Sequence, residues 1–175
     1  MGKISFILGG ARSGKSSYAV ELAKEAGNRV AFVATCPYYD QETEERIALH
    51  KKERPSDWKT FEEYKDVAPV LANIDTQDAF DAVLIDCLTL FTSNLLMDNY
   101  EENDVKERIN TMLDVLKEAK YDSILVANEV GLGIVPEHKL ARKFRDVAGR
   151  VNQLVAKHSD KVVFMAAGLP LHLKG

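Results

Sequence analysis

The segment from Gly9 to Ser16, Gly-Gly-Ala-Arg-Ser-Gly-Lys-Ser, is the feature that most constrains what this chain can fold into. It follows an apolar run, Ile4–Leu8, and precedes a stretch of helical character that begins near Lys15. A buried strand, a glycine-rich turn and a helix in that order form a phosphate-binding loop, whose backbone N–H groups surround an anion. The lysine supplies a positive charge, and the serine after it can offer its hydroxyl to Mg²⁺. We therefore predict that this segment binds a nucleoside triphosphate.

The composition argues against several other classes of protein. With 175 residues the chain has the length of one domain, and we expect a single domain over residues 1–175. Its formal net charge of −4 provides no general attraction to nucleic acid or anionic lipid, and no apolar run reaches membrane-spanning length. The two cysteines and four dispersed histidines indicate neither a disulfide framework nor a zinc site. These features favour a cytoplasmic globular protein that binds neither nucleic acid nor membranes.

Short apolar runs alternate with longer helical stretches along the chain. Because each run is nearly continuous in apolar residues, the alternation predicts a doubly wound α/β sheet of mainly parallel strands. The predicted strands are Lys3–Leu8, Arg29–Ala34, Ala82–Asp86, Ser123–Asn128 and Lys161–Ala167. The predicted helices are Lys15–Ala26, Gln41–Glu53, Asn103–Lys120 and Lys139–His158. The segment Arg54–Asp81, which contains Trp58, is the least regular and is interpreted as an insertion on the domain.

Ligands of such sheets bind beyond the carboxyl ends of the strands, so the loops at those ends are the candidate binding loops. Asp86 ends one apolar run, where a carboxylate can hold a magnesium-bound water or orient a nucleophile, although such runs also precede many turns. Glu129 follows another run and opens a shaped loop with two glycines and a proline. A plain connection between strand and helix is the alternative for that loop.

Arg46, His50 and Arg54 are spaced four residues apart in a segment that we expect to be helical. Cations on both sides lower the pKa of a histidine, which keeps the imidazole neutral and able to act as a nucleophile. The same cations would bind the phosphates that it attacks. The alternative is a solvated histidine, and the acidic start and basic end of the segment also suit the helix dipole. The residues alone leave both interpretations open.

Two further features have an ordinary structural interpretation. The predicted helix Lys139–His158 carries several arginines, which we interpret as a solvated or interface face. Tyr38 and Tyr39 lie in a predicted ligand-side loop and could stack on a ring, but packing is the favoured interpretation.

Several motifs occur together in this chain. They are Gly9–Ser16, Ala34-Thr35, Arg46-Ile47 with His50 and Arg54-Pro55, Trp58-Lys59-Thr60 with Glu62, Asn94-Leu95-Leu96, Asn128–Pro136, and Phe144–Asp146 with Gly149–Gln153. In this combination the chain resembles, from Ile4 to about Lys174, the bifunctional adenosylcobinamide kinase and adenosylcobinamide-phosphate guanylyltransferase family of cobalamin biosynthesis. The phosphate loop is common to many families, so the specific part is Asn-Glu-Val-Gly-x-Gly-Ile-Val-Pro together with Arg-Ile-x-x-His.

The resemblance implies a three-layer P-loop NTPase fold of the RecA-like type and two reactions. A nucleoside triphosphate, ATP or GTP, phosphorylates adenosylcobinamide. GTP then donates GMP to adenosylcobinamide phosphate, through a covalent histidine adduct that matches His50. The implied nucleotide contacts are Gly9, Gly10, Ala11, Arg12, Ser13, Gly14, Lys15, Ser16, Ala34, Thr35, Cys36, Lys51, Lys52, Glu53, Arg54, Glu62 and Asp86. We expect Mg²⁺ at Ser16 and Asp86, and the resemblance also favours a homo-oligomer, in particular a trimer.

Two alternative functions are compatible with the phosphate loop. One is a one-step kinase for another small metabolite, in which His50 is a surface residue. The other is a regulatory module, similar to a recombinase core, that binds nucleotide without turnover. Neither alternative accounts for the spacing of Arg46, His50 and Arg54.

Overall fold

The computed structural model describes residues 1–37, 54–77 and 79–175, which contain seven strands and five helices. The strands are β1 (Ile4–Gly9), β2 (Val30–Ala34), β3 (Lys59–Glu62), β4 (Ala82–Asp86), β5 (Asp122–Asn128), β6 (Lys161–Ala166) and β7 (Leu169–Lys174). The helices are α1 (Lys15–Ala26), α2 (Val67–Thr76), α3 (Leu88–Met97), α4 (Glu102–Glu118) and α5 (Lys139–His158). The predicted helix Gln41–Glu53 lies outside the described residues, as do Tyr38 and Tyr39.

All seven strands belong to one sheet, in the order β3-β2-β4-β5-β1-β6-β7. Each neighbouring pair is parallel except β6 and β7, which form an antiparallel hairpin at one edge. The strand that leads into the phosphate loop, β1, lies between β5 and β6, with Gly9 opposite Asn128 on one side and Met165 on the other. The predicted mainly parallel sheet is therefore confirmed.

Two hydrophobic clusters cover the two faces of the sheet. Along β1, Ile4, Phe6 and Leu8 belong to the cluster beneath α2, α3, α4 and α5, whereas Ile7 belongs to the cluster beneath α1. Strands β2, β4 and β5 divide their side chains in the same alternating way, which follows from the two-residue repeat of a strand. Burial on both faces explains why these strands appear in the sequence as continuous apolar runs.

Within the described residues, the strands and helices predicted from apolar patterns are confirmed, and their boundaries agree within two residues. The interpretation of Arg54–Asp81 as an insertion was wrong. Strand β3 pairs in parallel with β2, and α2 buries Val67, Leu71 and Ile74 in the main core. Trp58 is only 9% exposed and packs in the cluster beneath α1. The signal was weak because β3 is a mostly exposed edge strand of four residues.

Two other elements were not predicted, for different reasons. Helix α3 is apolar along most of its length and buries seven of its ten residues, so it has no amphipathic repeat. Strand β7 contains Pro170 and is exposed throughout, and proline is tolerated in a sheet chiefly at such an edge. Lys174 holds this strand against α5, because its ammonium group donates to the carbonyl oxygens of Ala156, Lys157 and Ser159 at 3.3, 3.1 and 2.5 Å.

We predict that alanine substitutions at two isoleucines that differ in burial change the free energy of unfolding by very different amounts. Ile109 in α4 is fully buried and Ile134 is 96% exposed. Ile109→Ala should lower the free energy of unfolding by about 2–5 kcal/mol because it leaves a cavity, and Ile134→Ala should change it by less than about 0.5 kcal/mol. Urea unfolding followed by circular dichroism measures both values. Similar losses for the two variants would contradict the described packing.

Candidate nucleotide-binding site

The ends of four parallel strands, β1 to β4, bring most of the predicted site residues to one edge of the sheet. Ala34 at the end of β2 lies opposite Glu62 of β3 and Asp86 of β4. Gly9 ends β1 at the same edge, two strands beyond β4. At about 4.8 Å between neighbouring strands, Asp86 stands about 10 Å from the phosphate-loop strand and Glu62 about 19 Å. Asp86 therefore lies closer to the phosphate loop than Glu62 does.

The phosphate loop has the backbone conformation of an anion-binding turn. Arg12 and Gly14 have positive φ angles of 55° and 90°, so successive N–H groups turn toward one side. No side chain caps the start of α1, where Gly14 is the N-cap residue, so the helix presents its first N–H groups to a ligand. The Lys15 ammonium group donates to the carbonyl oxygen of Gly10 at 3.2 Å, which keeps its charge within the loop.

Two glycines of the loop are required by close contacts. A Cβ atom at Gly9 would lie 2.4 Å from Ser13 Oγ and 2.7 Å from the carbonyl oxygen of Met165. A Cβ atom at Gly14 would approach the Cα atom of Gly168 to 3.2 Å, and the positive φ angle adds strain. No atom lies within 4 Å of the corresponding point at Gly10, so that side of the loop is open.

The turn between β6 and β7 supports the phosphate loop, a role that the sequence analysis missed. The backbone N–H of Gly168 donates to the carbonyl oxygen of Ser13 at 3.0 Å. Ala167 and Gly168 have φ angles of 51° and 80°, which makes this a tight hairpin turn. The glycine directly after the predicted strand Lys161–Ala167 was the available signal. Among the described residues the buried Oγ of Ser13 has no hydrogen-bond partner.

A buried hydrogen-bond cluster joins the ends of β2 and β4. The Thr35 hydroxyl donates to the carbonyl oxygen of Cys87 at 2.7 Å and accepts from its backbone N–H at 2.8 Å. The backbone N–H of Thr35 donates to the carbonyl oxygen of Asp86 at 3.3 Å. The Asn94 side chain donates to the carbonyl oxygens of Thr35 and Tyr64 at 2.9 and 3.0 Å. Thr35 is fully buried, and its hydroxyl, N–H and carbonyl groups all form hydrogen bonds within the protein. Its contribution is therefore to hold the end of β4, with Asp86, in place.

The side chain of Cys87 is buried in the hydrophobic cluster beneath α1, and its thiol stays protonated at neutral pH. Burial, together with the neighbouring Asp86 carboxylate, raises the pKa of Cys87 to about 12, although the Lys15 charge opposes the shift. Cys36, by contrast, is partly exposed, and its Sγ contacts the carbonyl oxygen of Pro37 at 3.5 Å.

Ser16 and Asp86 have the donor chemistry of a magnesium site shared with a substrate. Both offer oxygen, one from the first turn of α1 and the other from the end of β4. In the described part of the chain, no group of three or more histidine, cysteine or carboxylate side chains is arranged to hold a metal ion. This combination fits Mg²⁺, which commonly binds through one or two protein ligands, water and substrate phosphates.

The remaining predicted residues divide into two groups. The Arg54 guanidinium lies 3.4 Å above the ring centre of Phe32, and the Glu62 carboxylate accepts from the Tyr64 hydroxyl at 3.2 Å. The others lie outside the described residues: Lys51, Lys52, Glu53, and His50 with its neighbour Arg46. Their participation in the site stays a prediction.

The segment after β5 and the basic face of α5 have mainly internal contacts. The backbone N–H of Glu129 donates to the carbonyl oxygen of Gly9 at 3.0 Å, and its carboxylate accepts from the N–H of Gly131 at 2.7 Å. On α5, Arg150 pairs with Glu102 at 2.5 Å and Lys143 with Glu101 at 2.7 Å. These ion pairs join α5 to the start of α4.

A phosphate loop between a strand and a helix, with a carboxylate at the end of another parallel strand on the same sheet edge, defines the P-loop nucleotide-binding class. The overall architecture agrees with this class. A KaiC-like protein from Pyrococcus horikoshii superposes with a TM-score of 0.56 at 14% sequence identity, covering 93% of this chain and 71% of that one. At this level of identity the likeness concerns the fold alone.

The sequence identifies the family within that class. Residues 5–173 match the model of the cobinamide kinase / cobinamide phosphate guanyltransferase family, and the chain belongs to this family. Bifunctional adenosylcobalamin biosynthesis protein CobP of Pseudomonas aeruginosa is 43% identical over 97% of this chain and 96% of its own. The corresponding CobU proteins of Salmonella typhimurium and Escherichia coli are 37% and 35% identical, each over 96% of this chain and 98% of their own. Within the described ranges, no helix is both long and apolar enough to cross a membrane.

We predict that Thr35 acts through the stability of the site. Thr35→Val keeps the shape of the side chain but leaves the buried N–H of Cys87 without its hydrogen-bond partner, whereas the carbonyl oxygen of Cys87 still accepts from the N–H of Phe91. The free energy of unfolding should therefore fall by about 1–3 kcal/mol. Thr35→Ser retains the hydroxyl and should recover most of this loss. Urea unfolding of the three proteins is the measurement. Equal stability of the wild type and Thr35→Val would show that the hydroxyl has no such role.

Proposed function

We propose that this chain phosphorylates adenosylcobinamide with a nucleoside triphosphate and then transfers GMP from GTP to the product. The observation that carries this proposal is a complete phosphate loop, set beside Asp86 at one sheet edge, in a chain that matches the cobinamide kinase / cobinamide phosphate guanyltransferase family over residues 5–173. The names of the three relatives, all bifunctional adenosylcobalamin biosynthesis proteins, support both activities. The partly exposed Cys36 and buried Cys87, both free thiols, are compatible with a reducing cytoplasm, where we place the reaction.

In the kinase step the phosphate loop holds and polarises the triphosphate. The hydroxyl oxygen of adenosylcobinamide bonds to the γ-phosphorus, the bond from that phosphorus to the bridging oxygen breaks, and the nucleoside diphosphate leaves. The hydroxyl proton passes to water. Lys15 and the N–H groups at the start of α1 stabilise the charge that develops on the phosphate oxygens, because they are oriented before the reaction begins.

Ser16 and Asp86 would hold Mg²⁺ with the bound triphosphate. The ion would neutralise part of the negative charge on the phosphate groups. The contribution of the protein is to keep the Asp86 carboxylate at the end of β4, which the hydrogen bonds of Thr35 and Asn94 support.

The guanylyl transfer is proposed to proceed through His50. A ring nitrogen of the neutral imidazole attacks the α-phosphorus of GTP, and pyrophosphate leaves as the bond to its oxygen breaks. The phosphate oxygen of adenosylcobinamide phosphate then attacks the same phosphorus, the phosphorus–nitrogen bond breaks, and His50 is released with adenosylcobinamide-GDP as the product. Family membership and the Arg46, His50 and Arg54 spacing support this assignment.

We predict that labelled GTP distinguishes the two steps. After incubation with Mg²⁺ and GTP labelled at the α-phosphate, denatured wild-type protein should retain label that is labile to acid and stable to alkali. GTP labelled at the γ-phosphate should leave none. His50→Ala should lose the α-label and the guanylyl transfer but keep much of the kinase activity, because the attack of the substrate hydroxyl on the γ-phosphorus does not involve the imidazole.

Two variants serve as controls for this experiment. His172→Ala removes a different imidazole, which is exposed on β7, and should retain the adduct. Lys15→Ala should impair both activities, since both use the triphosphate-binding loop. If folded wild-type protein binds GTP but retains no label, the one-step kinase becomes the better description. Loss of both activities in folded His50→Ala would contradict the division between the steps.

The exposed edge strand β7 supports assembly of several copies of this chain. Leu169, Leu171 and Leu173 alternate along the strand and are 72, 58 and 57% exposed. An edge strand with an apolar face is a favourable surface for another chain. We propose a homo-oligomer in which β7 contacts a second copy, and the family resemblance favours a trimer.

We predict that a charge on the leucine face weakens this assembly. Leu171→Asp should shift the protein toward the monomer in sedimentation velocity, because a carboxylate would be buried against apolar side chains. His172→Asp adds the same group at the next position, which points to the opposite face of the strand, and should leave the assembly intact. A monomeric wild-type protein, or equal dissociation by both variants, would contradict the assignment of the leucine face.

A further inference from the structure

The segment between β5 and α5 exposes large apolar side chains beside the phosphate loop. Leu132, Ile134 and Val135 are 81, 96 and 57% exposed, and Leu140 in the first turn of α5 is 58% exposed. Among the described residues most apolar side chains are buried, so several exposed ones on one short segment indicate a surface that contacts something apolar. Nothing in the reactions of the phosphate groups uses these side chains.

Hydrogen bonds at both ends hold this segment in shape. At its start the N–H of Gly131 donates to the Glu129 carboxylate at 2.7 Å. At its end the Arg142 guanidinium donates to the carbonyl oxygens of Pro136 and Glu137 at 3.1 and 2.5 Å. The apolar side chains are therefore presented by an anchored loop.

The segment begins at the phosphate loop itself. The N–H of Glu129 is 3.0 Å from the carbonyl oxygen of Gly9, and Leu132 follows three residues later. Three residues extend at most about 11 Å, so Leu132 lies close to the rim of the triphosphate site. An acceptor hydroxyl must come within about 3–3.5 Å of the phosphorus that it attacks, which places the rest of the acceptor across this rim.

We propose that Leu132, Ile134 and Val135 form the platform for the corrin ring of the acceptor substrate, an inference that rests on the proposed function. A corrinoid combines a large apolar macrocycle with amide side chains, and apolar side chains on a fixed loop suit the macrocycle. The segment from Glu129 to Glu137 itself contains no lysine or arginine, but the Arg142 guanidinium lies at its end. The exposed apolar side chains, and not the charge of the segment, therefore favour the macrocycle.

A second copy of this chain is expected to contact β7 and not the loop after β5. The leucines of β7 lie on an edge strand that starts at the carboxyl edge of the sheet with Leu169 and runs to the opposite edge, so Leu171 and Leu173 lie progressively farther from the phosphate loop. The loop after β5 lies wholly beyond the carboxyl edge, where the ligands of a parallel sheet bind. The two apolar surfaces therefore serve different partners.

Steady-state kinetics of the kinase step test this proposal. For Leu132→Ser/Ile134→Ser we expect the KM for adenosylcobinamide to rise about tenfold, because the variant lacks two aliphatic side chains that the bound substrate would partly cover. The kcat, the KM for the nucleotide and the rate of adduct formation from GTP alone should remain unchanged. Ile134→Leu keeps the apolar character and should keep the wild-type KM. Met97→Ser removes an apolar side chain that is 61% exposed at the end of α3 and should also leave the KM unchanged.

The possible failures are distinguishable. If wild-type protein phosphorylates adenosylcobinamide and the double variant has the same KM, the loop does not bind the corrinoid. If wild-type protein binds nucleotide but does not act on adenosylcobinamide, the proposed function fails and this inference fails with it. If the KM change accompanies dissociation of the oligomer and disappears at protein concentrations that restore it, the loop is a contact between copies, which overturns the proposal.

Discussion

The parallel pairing of β1 between β5 and β6 is the constraint on which the site depends. Backbone hydrogen bonds set the register, so Gly9 lies opposite Asn128 and Met165 and three neighbouring strands end together. The segments that leave these strands therefore border the phosphate loop on both sides. After β5 the N–H of Glu129 donates to the carbonyl oxygen of Gly9, and after β6 the N–H of Gly168 donates to the carbonyl oxygen of Ser13. The same ladder thus shapes the phosphate loop and positions the segments that border it.

Burial separates the residues that build the site from those that can contact a ligand. Thr35 is fully buried, and its hydroxyl, N–H and carbonyl groups all have partners within the protein. Asp86, beside it, is only partly buried and stands at the open edge of the sheet. A motif that places both residues near a nucleotide does not distinguish these roles. The distinction follows from hydrogen bonds between β2, β4 and α3, which are distant in the sequence.

The elements that could be predicted are those with a strong local signal. Helices Lys15–Ala26 and Lys139–His158 have the predicted bounds, because one follows the phosphate loop and the other has a clear amphipathic repeat. Helix α3 has no such repeat because it is buried on most sides, and β3 is stabilised mainly by pairing with β2. For these elements tertiary contacts outweigh local preference, so the sequence pattern alone could not identify them.

The sequence by itself determined the class of protein, the phosphate loop and the family, because these depend on residue types at fixed spacings along one short segment or a set of motifs. Only the tertiary structure decided that Gly168 supports the loop, that Thr35 and Asn94 hold the end of β4, and that the segment after β5, with its exposed apolar side chains, starts beside the phosphate loop. The physical reason is that each of these roles is a contact between segments far apart in the chain. Such contacts exist only once the register of the sheet has brought the strand ends together.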